Sequence, residues 1–303
     1  MIEHLYERVY LGEKRSVITM DDIIAAIDYC NEHFSSGLSK GNPANFMKDI
    51  VRSKNASAHW PQSLKDARIT GRQRVGEGRV LEFEPYVDGQ IEPFESSFKR
   101  SDDLAPIPVQ SLSIPLAARS LGRNDESWLI QVAVELRVVE THFAVRERPS
   151  PLKVLEIVHL QTGVKLSSSE VDALFFATIE LVDGATERIL VTCEAKKANE
   201  RILDHQIIEQ IVAANKSLRS AGLEINLIVP IAIQADSTGK IYVAEFEPWT
   251  SKDAEVKEEL LGKLVLVAEG LYQLSPPVPG VSTKQKRPQR PLPKQLSRRR
   301  TRT

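Results

Sequence analysis

Long apolar runs are missing from this sequence, and so are the marks of several common protein classes. No apolar stretch is long enough to span a bilayer, and residues 1–4 do not begin a signal peptide. The two cysteines, Cys30 and Cys193, lie in apolar periodic contexts and need no disulfide. There is no glycine-rich phosphate loop, no Cys/His metal spacing and no serine elbow. These absences predict a protein of the reducing cytoplasm that does not contact a membrane.

Acidic residues are missing from residues 275–303, although the chain contains 41 of them. This segment holds nine basic residues and six prolines, a composition that predicts a disordered tail. The rest of the chain therefore carries ten more acidic than basic residues. A basic tail could bind phosphates and release their counterions. The alternative is a solubilising end without a further role.

Residues 169–210 contain the pattern around which the rest of the chain is organised. Residues 171–182 are rich in apolar and β-branched residues and are followed by the turn signal Asp183-Gly184. Residues 188–193 form a short apolar run bounded by charged residues. Both stretches therefore predict buried strands that are joined by a tight turn.

Charged residues lie at the end of the second of these strands. Glu194 and Lys196 are two positions apart, so their side chains point to the same face of the sheet. Asp172 lies near the start of the preceding strand, and antiparallel pairing would bring it close to that face. Two carboxylates in a partly buried site repel each other, which makes them suitable ligands for a hard divalent cation. The lysine could position a water or stabilise negative charge in a transition state. The alternative is a surface ladder of ion pairs on a sheet edge.

Asp172 followed by Glu194-Ala195-Lys196 resembles the PD-(D/E)xK nuclease superfamily, and restriction endonucleases in particular. The sequence departs from the family pattern at Val171, where the family has a loosely kept proline. The resemblance implies that Asp172, Glu194 and the carbonyl of Ala195 hold Mg²⁺. It also implies that Lys196 positions the attacking water and that the products carry 5′-phosphates.

The resemblance extends to residues outside the motif. A helix is predicted over residues 201–218, and a glutamine on this helix lies near the active site in the family, which points to Gln206. Glu140 and Glu156 are candidates for the additional upstream acid of many such nucleases, although each could be a surface charge. The predicted order of helix, strand hairpin, strand, helix and two strands matches the αβα core of the superfamily, with its central mixed sheet, over about residues 125–250.

The N-terminal part of the chain predicts three helices and a hairpin. Thr19 and Asn42-Pro43 are good starts for the first two helices, and Gly76-Glu77-Gly78 is a turn signal. This order resembles a winged helix-turn-helix domain. Its third helix would present residues to a major groove and its wing would carry arginines; the candidates are Gln62, Ser63, Lys65, Arg72, Arg74 and Arg79. The alternative is a small helical interaction module whose arginines are solvated.

The sequence also predicts the structure of four further segments. A single helix is predicted from 128 to 143, and a closing helix from 253 to 274. Residues 154–166 are compatible with a strand or a helix. Residues 223–234 read as a central strand, but Pro230 argues for an edge or a bend.

The sequence therefore predicts an α/β protein with a restriction-endonuclease-like αβα core, preceded by a small winged helix-turn-helix-like domain. The expected units are a DNA-binding domain at 1–85, a linker at 86–111, a nuclease domain at 112–274 and the basic tail at 275–303.

The function implied by the resemblance is that of a Mg²⁺-dependent type II restriction endonuclease acting on double-stranded DNA. Cutting both strands suggests a homodimer, and a cognate DNA methyltransferase acting on the same site is a candidate partner. The alternatives are a repair or modification-dependent nuclease on the same fold, and a DNA-binding regulator with an inactive nuclease-like domain. The lack of an ATPase motif argues against a translocating helicase-nuclease.

Overall fold

A computed structural model describes residues 1–74, 78–95, 98–147, 153–166, 169–198, 200–255 and 264–281. The tip of the predicted hairpin, at residues 75–77, and the basic part of the predicted tail, from residue 282 onwards, lie outside the described residues. Of the helices in the described ranges, none combines the length and the apolar character needed to cross a membrane.

The N-terminal module, residues 1–85, packs helices against a small antiparallel sheet. Its elements are α1 (Ile2–Leu5), which continues into a π-helical segment (Tyr6–Gly12), β1 (Val17–Thr19), α2 (Met20–Phe34), α3 (Pro43–Arg52), α4 (Ala56–His59), α5 (Gln62–Asp66), β2 (Ile69–Gln73) and β3 (Arg79–Pro85). Strand order is β1–β3–β2, and the predicted β2–β3 hairpin is confirmed by its antiparallel register. The core of the module contains Ile23, Ile27, Met47, Trp60 and Phe83.

Asp22 ties the start of α2 to the segment that precedes it. Its carboxylate accepts hydrogen bonds from the backbone and hydroxyl of Thr19, both at 2.8 Å, and from Arg15 at 2.9 Å. Burial alone would raise the pKa of Asp22, but the hydrogen bonds from Arg15 and Thr19 outweigh it and lower this pKa to about 2. A carboxyl pKa below its unfolded value stabilises the fold above the unfolded pKa, and this stabilisation disappears as the pH falls through the folded one.

Asp22→Ala should therefore lower the free energy of unfolding by about 2 kcal/mol at pH 7, since both the cap and the ion pair are lost. Urea unfolding of wild type and variant would measure this, and the difference should shrink between about pH 4 and pH 2. The exposed neighbour provides a matched control, because Asp21→Ala removes the same charge from the same helical turn. An equal loss in both variants would contradict the assignment.

The larger unit is a curled mixed sheet with helices on both faces. Its elements are β4 (Pro106–Gln110), α6 (Leu116–Leu121), α7 (Glu126–Glu135), α8 (Val138–Val145), β5 (Lys153–Lys165), β6 (Glu170–Glu180), β7 (Thr186–Lys196), α9 (Asp204–Ser220), β8 (Leu227–Ala235), β9 (Lys240–Phe246), β10 (Trp249–Thr250), a 3₁₀ turn (Asp253–Glu255) and β11 (Leu266–Ser275). Within the described ranges the sheet has eight strands, seven of them in the order β4–β11–β9–β8–β7–β6–β5, while β10 pairs with β8. Pairs β7–β8 and β11–β4 are parallel and the others antiparallel. The predicted mixed α/β class is therefore confirmed.

Alternation along the central strands assigns each side chain to one face. Phe175 and Val191 belong to the core cluster that includes α7 and α8, whereas Leu190 and Ile228 pack in the cluster that includes α9. Because both faces are covered, β8 and residues 189–196 of β7 are mostly apolar. The polar residues that do occur there, at the carboxyl end of β7, require a separate explanation.

The expected helix from 128 to 143 is divided in the structure. Arg137 has φ of 51°, which is left-handed backbone, and it separates α7 from α8. This turn lets the chain direction change while Leu129 and Phe143 both reach the core. The ambiguous residues 154–166 form the strand β5, which pairs along its length with β6.

Two predictions about the ends of the larger unit were wrong. The closing helix was expected over residues 253–274, of which 256–263 lie outside the described residues. Residues 266–274 instead belong to β11, which pairs with β9 on one side and with β4 on the other. Residues 106–110, expected within the linker, are the strand β4 itself. Both segments are held by pairing partners far away in sequence, which local periodicity does not reveal.

Pro230 lies in a central strand, so the expectation of an edge was wrong. It pairs with Thr192 of the parallel neighbour β7. On its other side, β10 pairs as far as Ile228 and β9 begins at Ile231. Position 230 thus lies between the part of β8 that pairs with β10 and the part that pairs with β9.

The first residues of the expected disordered tail are packed. Val278 and Val281 are each 1% exposed, and the Trp128 indole N–H donates to the Pro279 carbonyl at 2.8 Å. The expectation of disorder was therefore wrong for residues 276–281, since these apolar side chains cover the start of α7.

Candidate active site

The carboxyl end of β7 brings the predicted acidic residues together. The antiparallel register pairs Ala173 with Cys193, so Asp172 lies opposite Glu194 and on the same face of the sheet. The Asp172 carboxylate accepts a hydrogen bond from the Ala195 backbone N–H at 2.7 Å. This bond fixes the aspartate across the strand pair, next to Glu194.

Lys196 lies between two carboxylates. Its ammonium donates a hydrogen bond to Glu194 and lies 3.5 Å from Glu126, the first residue of α7. The side chains of Lys196 and Glu194 are only 2% and 6% exposed. Burial alone would lower the pKa of Lys196, but the negative charges of Glu194 and Glu126 outweigh it and raise this pKa. The structure therefore holds a protonated lysine in an almost dry position.

Helix α9 covers these residues and contributes a glutamine. The Gln210 amide donates to the Glu194 carboxylate and, at 3.0 Å, to the Glu170 carbonyl. Gln206, one turn earlier, lines the same pocket, and its buried amide oxygen has no hydrogen-bond partner among the described residues. Sequence reasoning favoured Gln206, whereas it is Gln210 that contacts the predicted glutamate. The sequence showed only that Gln206 and Gln210 share one face of the helix, and this does not decide which of them contacts Glu194.

The carboxyl groups of the site are under electrostatic strain. Burial, and next the negative charge of Glu194, raise the pKa of Asp172 to about 8. The pKa of Glu126 is also raised, mainly by burial and in part by its hydrogen bond to Glu200, although Lys196 opposes this shift. A bound cation would relieve the strain, because it favours the charged form of every nearby carboxylate.

A pocket of about 340 Å³ surrounds these groups and extends to the N-terminal module. The described residues that line it are Lys48, Arg52, Gln73, Glu126, Ser127, Ser169, Glu170, Asp172, Glu194, Lys196, His205, Gln206, Glu209 and Gln210. Among these described residues, five acidic side chains face two lysines and one arginine. A negatively charged substrate would therefore be repelled unless a cation were bound first.

The donor set suits a hard cation but supplies only part of its coordination. Asp172 and Glu194 provide carboxylate oxygens, the donors that Mg²⁺ prefers. Within the described ranges, no group of three or more His, Cys, Asp or Glu side chains is arranged to hold a metal ion. The Ala195 carbonyl would be the third protein ligand, as the resemblance implies, and Mg²⁺ commonly keeps several waters.

Neither expected additional acid lies at the site. Glu140 is half-buried on α8 and Glu156 is exposed on β5, and neither is among the described residues that line the pocket. An acid upstream of the motif that does line the pocket is Glu126. Asp125 caps its helix, and the Asp125 side chain accepts a hydrogen bond from the Trp128 backbone N–H at 2.8 Å. The sequence predicted a helix from residue 128 but gave no sign that its start lies close to β7.

The residues expected on a recognition helix lie on α5, away from the pocket. Gln62 bonds Asp66 of its own helix at 2.8 Å, and the Ser63 hydroxyl donates to Glu3 at 2.5 Å. Gln62 and Ser63 are exposed, and Lys65 is half-buried. The helix has only five residues, so it offers a short surface to a groove.

The three expected wing arginines differ in their surroundings. Arg72 lies 3.6 Å from Glu209 of α9, and Arg74 forms an ion pair with Glu82 at 2.6 Å. Arg79 is exposed at the start of β3. Arg72 and Arg74 thus have protein carboxylates as partners, and contact with DNA would have to compete with these ion pairs.

Comparison of the chain with protein-family models, with curated proteins and with solved structures finds no match.

Proposed function

We propose that this protein is a Mg²⁺-dependent endonuclease that hydrolyses phosphodiester bonds of double-stranded DNA, as type II restriction enzymes do. The observation that carries the proposal is the convergence of Asp172, Glu194 and Lys196 in one buried pocket. The element order supports it: α7 and α8 precede the antiparallel strands β5, β6 and β7, and α9 then leads to β8, parallel to β7. This is the order that the resemblance implies for the core of the superfamily.

Mg²⁺ would be held by Asp172, Glu194 and the Ala195 carbonyl. The raised pKa of Asp172 and the excess of carboxylates are the features that fit a divalent cation. A bound Mg²⁺ would lower the pKa of a water and offset the charge of the phosphate.

The protein's own groups would prepare the reaction around this centre. Lys196 supplies a fixed positive charge and N–H donors for the attacking water or for the phosphate oxygens as negative charge develops. The Gln210 amide holds Glu194, and the Ala195 N–H holds Asp172, so neither carboxylate must reorganise on substrate binding. Water attack at phosphorus would break the bond to the 3′ oxygen, leaving a 5′-phosphate and a 3′-hydroxyl.

The proposal includes partners as well as chemistry. The enzyme would act as a homodimer in the cytoplasm, and a cognate DNA methyltransferase would protect the same site. The N-terminal module would add affinity or base readout, as the resemblance to a winged helix-turn-helix domain implies. Light scattering of the purified protein would measure the oligomeric state.

Incubation of the purified protein with unmethylated phage DNA and Mg²⁺ tests the proposed activity. Discrete fragments ending in 5′-phosphates are the expected result. A smear would favour a nuclease without site specificity. DNA cut only when its bases are methylated or damaged would favour the modification-dependent or repair alternative. Intact DNA that is nevertheless bound would overturn the proposal and favour a DNA-binding regulator with an inactive site.

Glu126→Gln should lower the single-turnover cleavage rate about 10- to 100-fold, the usual effect of removing an outer partner of a metal site. The reason is that Glu126, 3.5 Å from the Lys196 ammonium, helps to balance its charge. The matched control is Glu156→Gln, which makes the same change at the exposed β5 position and should leave the rate unchanged. Equal rates in the two variants would remove Glu126 from the site.

A further inference from the structure

Helix α3 of the N-terminal module places two basic residues in the pocket. Lys48 and Arg52 are four positions apart, so they share one face of α3. Both line the cavity that contains Lys196. Arg52 also donates from Nε to the Gln73 side chain at 3.0 Å, and Gln73 is itself only 6% exposed. The guanidinium is therefore oriented by a buried partner.

The end of α3 is fixed against the loop that follows β7. The Arg201 N–H donates to the Arg52 carbonyl at 3.1 Å, and Ser53 forms an antiparallel β-bridge with Glu200. On the other side, the Gln234 amide holds the Glu200 carbonyl at 2.6 Å. These hydrogen bonds set the distance between α3 and residues 194–196. Lys48 and Arg52 are therefore positioned before any ligand binds.

Two like charges on one partly buried helical face are unfavourable without an anion. Burial, and next the positive charge of Arg52, lower the pKa of Lys48, while Glu170 opposes this shift. The other positive charge in the pocket is Lys196, which is already balanced by Glu194 and Glu126. Lys48 and Arg52 therefore form the part of the cavity best suited to a second negative group.

We propose that Lys48 and Arg52 form a phosphate subsite that holds a backbone phosphate of the DNA strand next to the phosphate being cleaved. The inference rests on the proposed nuclease function, and it makes the N-terminal module a component of the active-site pocket. A guanidinium and an ammonium are the two side-chain groups that bind phosphate most strongly. Each should neutralise about one phosphate charge, which gives the subsite a measurable dependence on salt.

The test is the affinity of a short DNA duplex measured by fluorescence anisotropy in Ca²⁺, over a range of salt concentrations. Lys48→Gln and Arg52→Gln should each weaken binding about 10-fold at 0.1 M salt and reduce the slope of log K against log salt by about 0.9. The matched controls are Lys153→Gln and Arg188→Gln. They remove the same charges at the opposite end of the sheet from Lys196, and both affinity and slope should stay at wild-type values.

Arg52→Lys separates the charge of Arg52 from its structural bond to Gln73. A lysine keeps the charge but loses the Nε–H donor, so it should retain the wild-type salt slope. A slope reduced as far as in Arg52→Gln, with a matching fall in melting temperature, would assign the effect to packing and overturn the subsite.

The experiments distinguish failure of the phosphate subsite from failure of the nuclease function. If wild type cuts DNA but the Lys48 and Arg52 variants keep its affinity and slope, the subsite is wrong and the nuclease function stands. If the variants lose affinity and slope while wild type does not cut, the nuclease function fails and the two residues remain a DNA-phosphate site.

Discussion

Lys196→Gln should reduce the single-turnover rate of DNA cleavage by about 10³-fold while DNA affinity changes by no more than a few fold. Loss of one preorganised donor at a developing negative charge costs about 10²- to 10³-fold in other enzymes. Lys196 is at the upper end of this range because it is buried and its charge is held between Glu194 and Glu126. Affinity should persist because most DNA contacts are made to phosphates elsewhere along the bound strand.

The control for this prediction is Lys153→Gln. It removes a lysine at the start of β5, far from Lys196, and should leave the cleavage rate unchanged. Melting temperatures of both variants show whether the buried site has collapsed. A Lys196→Gln protein that is folded, binds DNA and still cuts within 10-fold of wild type would contradict the role given to this lysine.

Asp172→Asn should abolish cleavage and, in the absence of metal, make the protein more stable than wild type at high pH. The folded pKa of Asp172, about 8, lies above its unfolded value near 4. Between these values the folded state holds a proton that the unfolded state has lost, so the stability of the metal-free wild type falls as pH rises through this window. Asparagine remains neutral and removes this contribution.

Thermal unfolding at pH 5.5 and pH 8.5, with EDTA or with Mg²⁺, measures both effects. In EDTA the melting temperature of wild type should fall more between the two pH values than that of Asp172→Asn. Mg²⁺ should raise the melting temperature of wild type at pH 8.5 and have no effect on the variant, because ligand binding stabilises only a protein with the site. Asp183→Asn, in the exposed turn between β6 and β7, is the matched control and should behave as wild type. The same pH trend in Asp172→Asn and wild type would contradict the assignment.

The sequence predicted the parts of the site that depend on neighbouring residues. The turn at Asp183-Gly184 sets the β6–β7 register, and that register places Asp172 opposite Glu194. A local turn and the two-residue period of a strand were sufficient for this, because the whole arrangement lies within one hairpin.

The rest of the site depends on contacts that a single sequence does not record. Glu126 reaches Lys196 only because α7 and α8 pack beneath β6 and β7. Arg137 ends α7 in left-handed backbone, for which a glycine would have been the expected signal. Gln206 and Gln210 share a face, and only the placement of α9 over the sheet decides which of them touches Glu194.

The strands β4 and β11 of the larger unit likewise form because of their pairing partners. The apolar residues of β11 are compatible with a helix until β9 and β4 supply hydrogen-bond partners on both sides. Likewise, β4 contains two prolines and is recognisable as a strand only through its parallel register with β11. Tertiary pairing thus overrides local preference at these positions.

The docking of α3 on the loop after β7 limits how this protein can be re-engineered. Replacing residues 1–85 with an unrelated module would delete one wall of the pocket together with Lys48 and Arg52. A chimera of that kind would need a surrogate helix carrying equivalent cations at the bridge formed by Ser53 and Glu200. Residues 1–85 are therefore not an exchangeable part of this chain.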